Sequence, residues 1–515
     1  MSTQNKSYIK DLIGTNDYKK ISDLYASVKK HNEFEIIFVN HENKYIGQEK
    51  YIQLLKYIKH KSAILKNPST TIDSLDINYS PNPEITYRVT LIGSEIINKY
   101  IQKLDLWKSH VIFKSLVKIA QSKKSPDIVL MKKLKDKENI IDVTELNERV
   151  KLSTELSFDK EDFDLVDKIT YEDMDKVMFR LKQRTTLQII NTSKEFVQID
   201  LTLTKTSRKY STLNSTVPAF ELELEYGLLD DKSKPSDTAF DSMLNESLIL
   251  HKIIQQSNFI ITTSKTQEVL KYYKNIGNIN ETSTFLDARQ SASLEIQYAT
   301  DILPNKYAVT DKADGERYFL IIMNKHIYFI STNLVVKDGG LDLKSSDYDG
   351  TILDGEYIFI AKLNRHLFMV FDVLFVGSKD IRNESSFMKR IKMGEELCNK
   401  IFVLKGQKGF IQNIYKPKDK FDLADLTAFH HKEFIRLMSI LNEDMQFEKT
   451  IPLIRTKYFA DATGAEPWEI FAYASDMWKS YTEDAQINCP YLLDGLIFQP
   501  LEQQYITSQR ESKLI

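Results

Sequence analysis

Phe220-Glu221-Leu222-Glu223-Leu224-Glu225-Tyr226-Gly227 alternates apolar and acidic side chains at period two. On a strand, alternate residues share a face, so three carboxylates stand on one side and Phe220, Leu222, Leu224 and Tyr226 on the other. Stacked like charges repel and destabilise a strand unless cations answer them. Read alone, the stretch also suits an edge strand with a solvated acidic face. A second acidic strand lies far upstream, Asn32-Glu33-Phe34-Glu35-Ile36-Ile37-Phe38. Two such strands in one module point to oxygen ligands for a hard metal, Mg²⁺ or Mn²⁺, at Glu33, Glu35, Glu221, Glu223 and Glu225.

Working outward, the cations that would answer these charges are present. Arg180, Lys182 and Arg184 alternate along one strand, with Arg88 a fourth candidate and Lys151 a weaker fifth. Asp200 and Thr202 share a face in Gln198-Ile199-Asp200-Leu201-Thr202. Period-two alternation marks residues 34–39, 87–92, 177–190, 196–204 and 220–226 as strands. So many alternating strands predict an antiparallel sheet closed into a barrel. Acidic rows facing basic rows inside it would form a polar tunnel for a metal-bound polyphosphate. Ordinary cross-strand salt bridges are the alternative.

Helical patterns occupy 9–29, 50–64, 243–254 and 266–273, and after about residue 300 strands return, with helices at 387–404 and 422–441. The polar run Asp230-Asp231-Lys232-Ser233-Lys234-Pro235-Ser236-Asp237 is the best joint. The expected division is 1–232 and 233–515, in an α+β chain. The 515 residues carry 70 basic and 72 acidic side chains, a net charge of −2, so nucleic-acid binding has to come from local grooves. Two cysteines exclude a disulfide scaffold or a Cys-rich zinc site and suit a reducing compartment. The polar start argues against a secretory signal, and the most apolar stretch, 367–377, is broken by Asp372 and too short to span a bilayer.

The most specific segment is Tyr307-Ala308-Val309-Thr310-Asp311-Lys312-Ala313-Asp314-Gly315-Glu316-Arg317. An apolar strand ends in a loop where one lysine sits beside an acid, a glycine and an arginine. Cationic neighbours or partial burial would favour the neutral, nucleophilic amine of Lys312. Arg317 could bind phosphate oxygens, and Gly315 would let the backbone approach a ligand. A charged surface turn is the alternative.

Both constellations carry resemblances. The acidic strands, with the Lys182/Arg184 and Ile199-Asp200-Leu201-Thr202 strands between them, resemble triphosphate tunnel metalloenzymes, and within them RNA 5′-triphosphatases of viral capping enzymes. That resemblance implies removal of the γ-phosphate from triphosphate-ended RNA. It implies metal binding by the glutamates at 33, 35, 221, 223 and 225, and site roles for Arg88, Lys182, Arg184 and Asp200, with Glu155 added. Lys312-Ala313-Asp314-Gly315-Glu316-Arg317 resembles the Lys-x-Asp-Gly-x-Arg motif of covalent nucleotidyltransferases, which include mRNA guanylyltransferases and polynucleotide ligases. Later segments follow in the family's order: Tyr328-Phe329-Ile330, Leu353-Asp354-Gly355-Glu356, Phe368-Met369-Val370-Phe371-Asp372 and Leu493-Asp494-Gly495-Leu496-Ile497-Phe498. The resemblance implies that Lys312 takes GMP from GTP and passes it to an RNA diphosphate end. Arg317, Asp314, Gly315 and a stacking Phe329 would surround the nucleotide. Glu356 would serve the ribose or metal region, Asp494 the metal or reacting phosphate, and Asp372 the pocket's structure.

The match departs from the family pattern in places. The arginine usual after the Phe329 segment is absent (Ser331-Thr332-Asn333). Glu511-Ser512-Lys513-Leu514-Ile515 ends the chain where a final lysine element is expected, with Lys513 a weak stand-in, and neither an OB-type domain nor a methyltransferase loop is seen. The expectation is a truncated or interrupted bifunctional capping enzyme of the large-DNA-virus type, at work in host cytoplasm or virion. Its partners would be 5′-triphosphate RNA, GTP, a cap methyltransferase domain or subunit and viral transcription machinery, with no membrane. Two rivals are kept: an ATP-dependent polynucleotide ligase, and a decayed capping module acting as scaffold. His430-His431 reads as a solvated helix end, Trp107, Trp468 and Trp478 as core, and Lys132-Lys133-Leu134-Lys135-Asp136-Lys137 as a solvated loop, with contact to a phosphate backbone the lesser alternative.

Overall fold

The computed structural model describes residues 3–39, 46–104, 108–123, 126–294, 306–361, 364–402, 411–413, 422–444, 450–461, 466, 468–483 and 489–507. Trp107 and Lys513 lie outside the described residues. The chain divides into two units, Met1–Gln256 and Ser257–Ile515.

In the first unit, helices α1 (Thr3–Ile13) and α2 (Thr15–Ala26) precede β1 (Asn32–Phe38), and α3 (Gln48–Leu65) precedes β2 (Thr70–Tyr79) and β3 (Ile85–Ile92). Then come α4 (Ser94–Leu104), α5 (Ser109–Lys123), β4 (Ile128–Val143), β5 (Glu148–Leu156) and α6 (Lys160–Lys168). β6 (Val177–Asn191), β7 (Glu195–Ser207), β8 (Ala219–Leu228) and α7 (Asp237–Gln255) complete it. The strands close into an antiparallel barrel in the order β1-β5-β4-β3-β2-β6-β7-β8. The expected barrel is therefore present, with β2, β4 and β5 added to the strands read from the sequence.

Its alternation is inverted relative to a water-facing barrel. Phe34, Ile36 and Phe38 of β1 and Leu222, Leu224 and Tyr226 of β8 are buried beneath the helical cover, at 0–2% exposure. The opposite faces, bearing the charged rows, are left to the interior. A one-residue slip would exchange the two sets, so the register is strongly specified. The unit extends past the expected boundary at 232, because α7 packs on the barrel. Tyr57 donates to Glu246 at 2.7 Å, and His251 Nε2 lies 2.8 Å from Glu148 of β5.

In the second unit, α8 (Thr263–Gly277) precedes β9 (Tyr307–Ala313), β10 (Glu316–Met323), β11 (His326–Ser331) and β12 (Val336–Asp342). β13 (Ile352–Ile360), β14 (Arg365–Val376), β15 (Lys379–Asp380) and α9 (Phe387–Ile401) follow. Last come α10 (Leu423–Asp444), β16 (Leu453–Thr456), β17 (Ala460–Asp461), α11 (Glu469–Glu483) and β18 (Leu493–Pro500). A seven-stranded sheet runs β12-β11-β10-β13-β14-β15 with β16 parallel on β14, and a second sheet runs β17-β9-β18. This matches the expected α+β unit built on antiparallel sheets.

Three readings are corrected. His430 is no solvated helix end: it sits inside α10, 5% exposed, hydrogen-bonded to the Tyr458 hydroxyl. Trp468 and Trp478 are exposed at 46% and 40%, because α11 turns its other face, with Ile470, Tyr473 and Met477, into the core. The Lys132–Lys137 run is not a loop: all of it lies within β4, and Lys133 is buried in the barrel. Cys398 and Cys489 are both free thiols. Among the described residues no helix is long and apolar enough to cross a membrane.

Candidate functional site

Cross-strand register brings the barrel's charges together. Glu225 of β8 stands opposite Glu35 of β1 on one side and Gln198 of β7 on the other, and Glu223 opposite Asp200. Arg180 Nη2 grips both oxygens of Glu221 at 2.7 and 2.9 Å, and Thr204 adds a third bond at 3.0 Å. Arg184 pairs with Asp200 at 3.1 Å and reaches Glu223 at 3.9 Å. Lys182 pairs with Asp76 of β2. Arg88 donates to Asn78 at 3.2 Å and lies 3.9 Å from Asp76 and 4.0 Å from Glu155.

The carboxylates of β1 are held by two lysines. Lys133 pairs with Glu33, with Glu155 at 3.2 Å and with Glu35 at 3.7 Å, and Lys151 also pairs with Glu35. Although burial works the other way, the Lys133 ammonium holds the Glu33 carboxyl down at about 2. Burial pushes Lys182 down to about 8 against the pull of Asp76, with Arg180, Arg184 and Arg88 adding to the shift. Burial, with Glu33 and Asp200 nearby, raises the Glu225 carboxyl well above the usual range. Burial and Glu35 raise Glu223 as well.

Asp76 and Lys133 were missed by sequence reasoning. The signal for Lys133 was its period-two spacing with Lys135; for Asp76 it was the alternation of Leu75 and Ile77 around it. Among the described residues no three Asp, Glu, His or Cys side chains ring a metal as they stand. The donor chemistry nevertheless fits one. All the candidate ligands are carboxylate oxygens, and Glu225's described hydrogen bond comes from the Gln198 amide, not from a cation. Glu223 and Glu225, buried and crowded by other carboxylates, are the members whose charge a hard divalent cation would relieve most.

In the second unit, Lys312 stands at the end of β9 and pairs with Asp494 of β18. The β9–β18 register shifts between Leu493 and Gly495, and Gly495 takes φ 146°, so this bulge sets Asp494 against Lys312. Arg317 of β10 faces Glu356 of β13 across the sheet. Its guanidinium is tied to Asp354 at 3.0 and 2.6 Å and lies 5.3 Å from the centre of the Phe371 ring. Lys312, Arg317, Glu356, Phe371, Lys457 and Phe459 line one cleft.

Lys457, another residue missed from sequence, is fully buried and bridges Glu356 at 3.2 Å and Asp311 at 3.5 Å. Burial would lower its ammonium, yet Asp311 and Glu356 hold it above the ordinary value. Asp372 has the supporting place expected of it, accepting from Arg390 at 2.8 and 3.0 Å.

Two site readings are corrected. Phe329 is 1% exposed and packs against Tyr357 and Phe368, on the face of the sheet away from Arg317. Phe371 and Phe459 are the aromatics in the cleft. Gly315 makes its close approach to protein: an added Cβ would meet Glu356 Cγ at 2.8 Å and Ile358 Cγ1 at 2.9 Å. Asp314 is exposed at the β9–β10 turn, its amide bonded to Leu492 O at 2.9 Å.

Residues 254–451 match the family described as mRNA capping enzyme, catalytic domain. The chain is 28% identical over 518 residues to the probable mRNA-capping enzyme of Acanthamoeba polyphaga mimivirus, covering 98% of this chain and 41% of that protein. It thus spans less than half the length of that curated relative. A solved mimivirus capping enzyme triphosphatase is 23% identical, covering 47% of this chain and 99% of its own, at a TM-score of 0.36. The RNA triphosphatase domain of a trifunctional mimivirus mRNA capping enzyme is 21% identical, covering 46% and 94%, at 0.35. Residues 254–451 thus resemble the catalytic domain of mRNA capping enzymes, and the chain is similar over nearly its whole length to part of a probable viral mRNA-capping enzyme.

Proposed function

We propose that the chain caps mRNA in two steps, the barrel unit removing the RNA γ-phosphate and the second unit transferring GMP. The observation that carries this reading is the occurrence in one chain of a barrel lined by facing acidic and basic rows and a cleft holding Lys312 beside Arg317, Glu356 and Asp494.

In the barrel, Arg180, Lys182, Arg184 and Arg88 would bind phosphoryl oxygens. Glu33, Glu35, Glu221, Glu223 and Glu225 would hold Mg²⁺ or Mn²⁺. Such an ion, when bound, neutralises phosphate charge and lowers the pKa of the attacking water. In the cleft, Lys312 Nζ attacks the α-phosphorus of GTP once its proton has passed to a base, for which the paired Asp494 carboxylate is in reach. The N–P bond forms as the α–β bridging P–O bond breaks, and pyrophosphate leaves. The RNA β-phosphate oxygen then displaces Lys312 from the GMP phosphorus. A cap methyltransferase, as a domain or a subunit, would act on the product.

The test is γ-phosphate release from triphosphate-ended RNA with Mg²⁺ or Mn²⁺, and protein labelling by α-labelled GTP or ATP. Glu223→Ala is expected to lower release about a hundredfold or more, and Lys312→Ala to abolish labelling by GTP. Labelling by ATP alone would indicate a ligase. Neither activity would indicate a scaffold.

A further inference from the structure

One cation of the barrel wall stands apart from the paired rows. Arg180, Lys182, Arg184, Lys133 and Lys151 each hold a carboxylate. Lys135 of β4 does not: among the described residues its ammonium hydrogen-bonds Thr86 Oγ1 at 3.3 Å and makes no ion pair. It is exposed, and Lys151, Lys133, Arg88 and Arg180 are among the charges that bear on it most. Like charges gathered around an unanswered ammonium raise the local potential, and an anion bound there would lower it.

Its place along the barrel identifies the anion. One mouth is lined by Glu33, Glu155 and Glu225 together with Met131 of β4. From Met131 the strand runs four steps, about 13 Å, to Lys135, whose amide bonds Glu84 O just before β3 begins. The row Arg184, Lys182, Arg180 advances toward the start of β6, and Arg180 is the member of that row whose charge bears on Lys135. A triphosphate on those three cations, its γ-phosphate toward Glu223 and Glu225, would leave its nucleoside at Arg180. Lys135 then lies where a mononucleotide ends and a polynucleotide continues.

We propose that Lys135 marks the RNA-side entrance of the barrel and contacts the first phosphodiester behind the triphosphate, favouring RNA ends over free triphosphates. The inference rests on the triphosphatase reading of this unit. The test is equilibrium binding of a 5′-triphosphate oligoribonucleotide and of inorganic tripolyphosphate to the full chain over a salt series, for the unaltered chain, Lys135→Ala and Lys135→Arg.

Lys135→Ala is expected to weaken RNA binding about fivefold more than tripolyphosphate binding, and to reduce the RNA salt slope by about 0.7, one phosphate contact on a single strand. Lys135→Arg should restore both. Equal losses for the two ligands would make Lys135 one more triphosphate cation and overturn the proposal, as would no loss for RNA. Binding is read here, not hydrolysis. An unaltered chain that binds RNA yet releases no phosphate therefore counts against the triphosphatase reading alone, and one that binds neither ligand overturns both.

Discussion

Glu221 and Glu225 stand four residues apart on one face of β8, yet they meet different surroundings. Glu221 is clamped by Arg180 at 2.7 and 2.9 Å and by Thr204, so its charge is answered within the fold. Glu225 takes its described hydrogen bond from a neutral amide and is raised well above the usual carboxylate range by burial, Glu33 and Asp200. Glu221→Gln removes one half of a partly buried charged hydrogen bond and should destabilise the barrel by about 1–3 kcal/mol. Glu225→Gln relieves repulsion, so the melting temperature should hold or rise while metal-dependent phosphate release falls about a hundredfold. Thermal melts and phosphate-release rates on both variants check the pair. A Glu225→Gln protein that melts lower than the Glu221→Gln protein would contradict this division.

At the scale of elements, α10 carries a buried titrating group that gives the second unit a pH dependence. Burial lowers His430 from 6.5 to about 4, against the smaller pull of Glu433 and Glu469, and among the described residues its Nε2 has no hydrogen-bond partner. In the unfolded chain the imidazole takes a proton near 6.5; in the fold it resists until about 4. Its contribution is therefore present above 6.5 and lost as pH falls through 4, a change of about 3 kcal/mol. Denaturant melts at several pH values should show that slope, and His430→Phe should flatten it.

Elements also show how far the sequence was legible. β1, β6, β7 and β8 announce themselves because their outward faces are apolar under helices. β4 hides: its interior face carries Lys133 and Lys135, and its outward Lys132 is itself charged, paired with Asp162 of α6 at 2.7 Å. The Lys312, Arg317, Glu356 and Asp494 set was readable because short motifs carry it. Lys457 and the choice of Phe371 over Phe329 were not. Lys457 depends on the parallel pairing of β16 with β14, and the choice of aromatic on the register across β11, β10, β13 and β14; no local pattern records either.

At the scale of the whole molecule, α7 belongs to the barrel although it follows the polar joint. Ser236 caps it, donating to Glu195 at 2.6 Å, and its backbone oxygen accepts from Tyr25 at 2.9 Å. Ser247 donates to Glu148 at 2.5 Å, and Phe240, Met243, Leu244, Leu248 and Leu250 are buried. A piece ending at 232 would lose that burial, at about 1.5–3 kcal/mol for each large side chain. Five such losses approach or exceed the total of about 5–15 kcal/mol that holds a domain folded. Residues 1–256 alone should therefore melt cooperatively and release γ-phosphate from triphosphate RNA, whereas residues 1–232 should be aggregated or rapidly digested under limited proteolysis. If the shorter piece melts cooperatively at the same temperature and with the same activity, α7 is not part of the barrel's fold, and its buried face would have to be covered from outside the barrel unit.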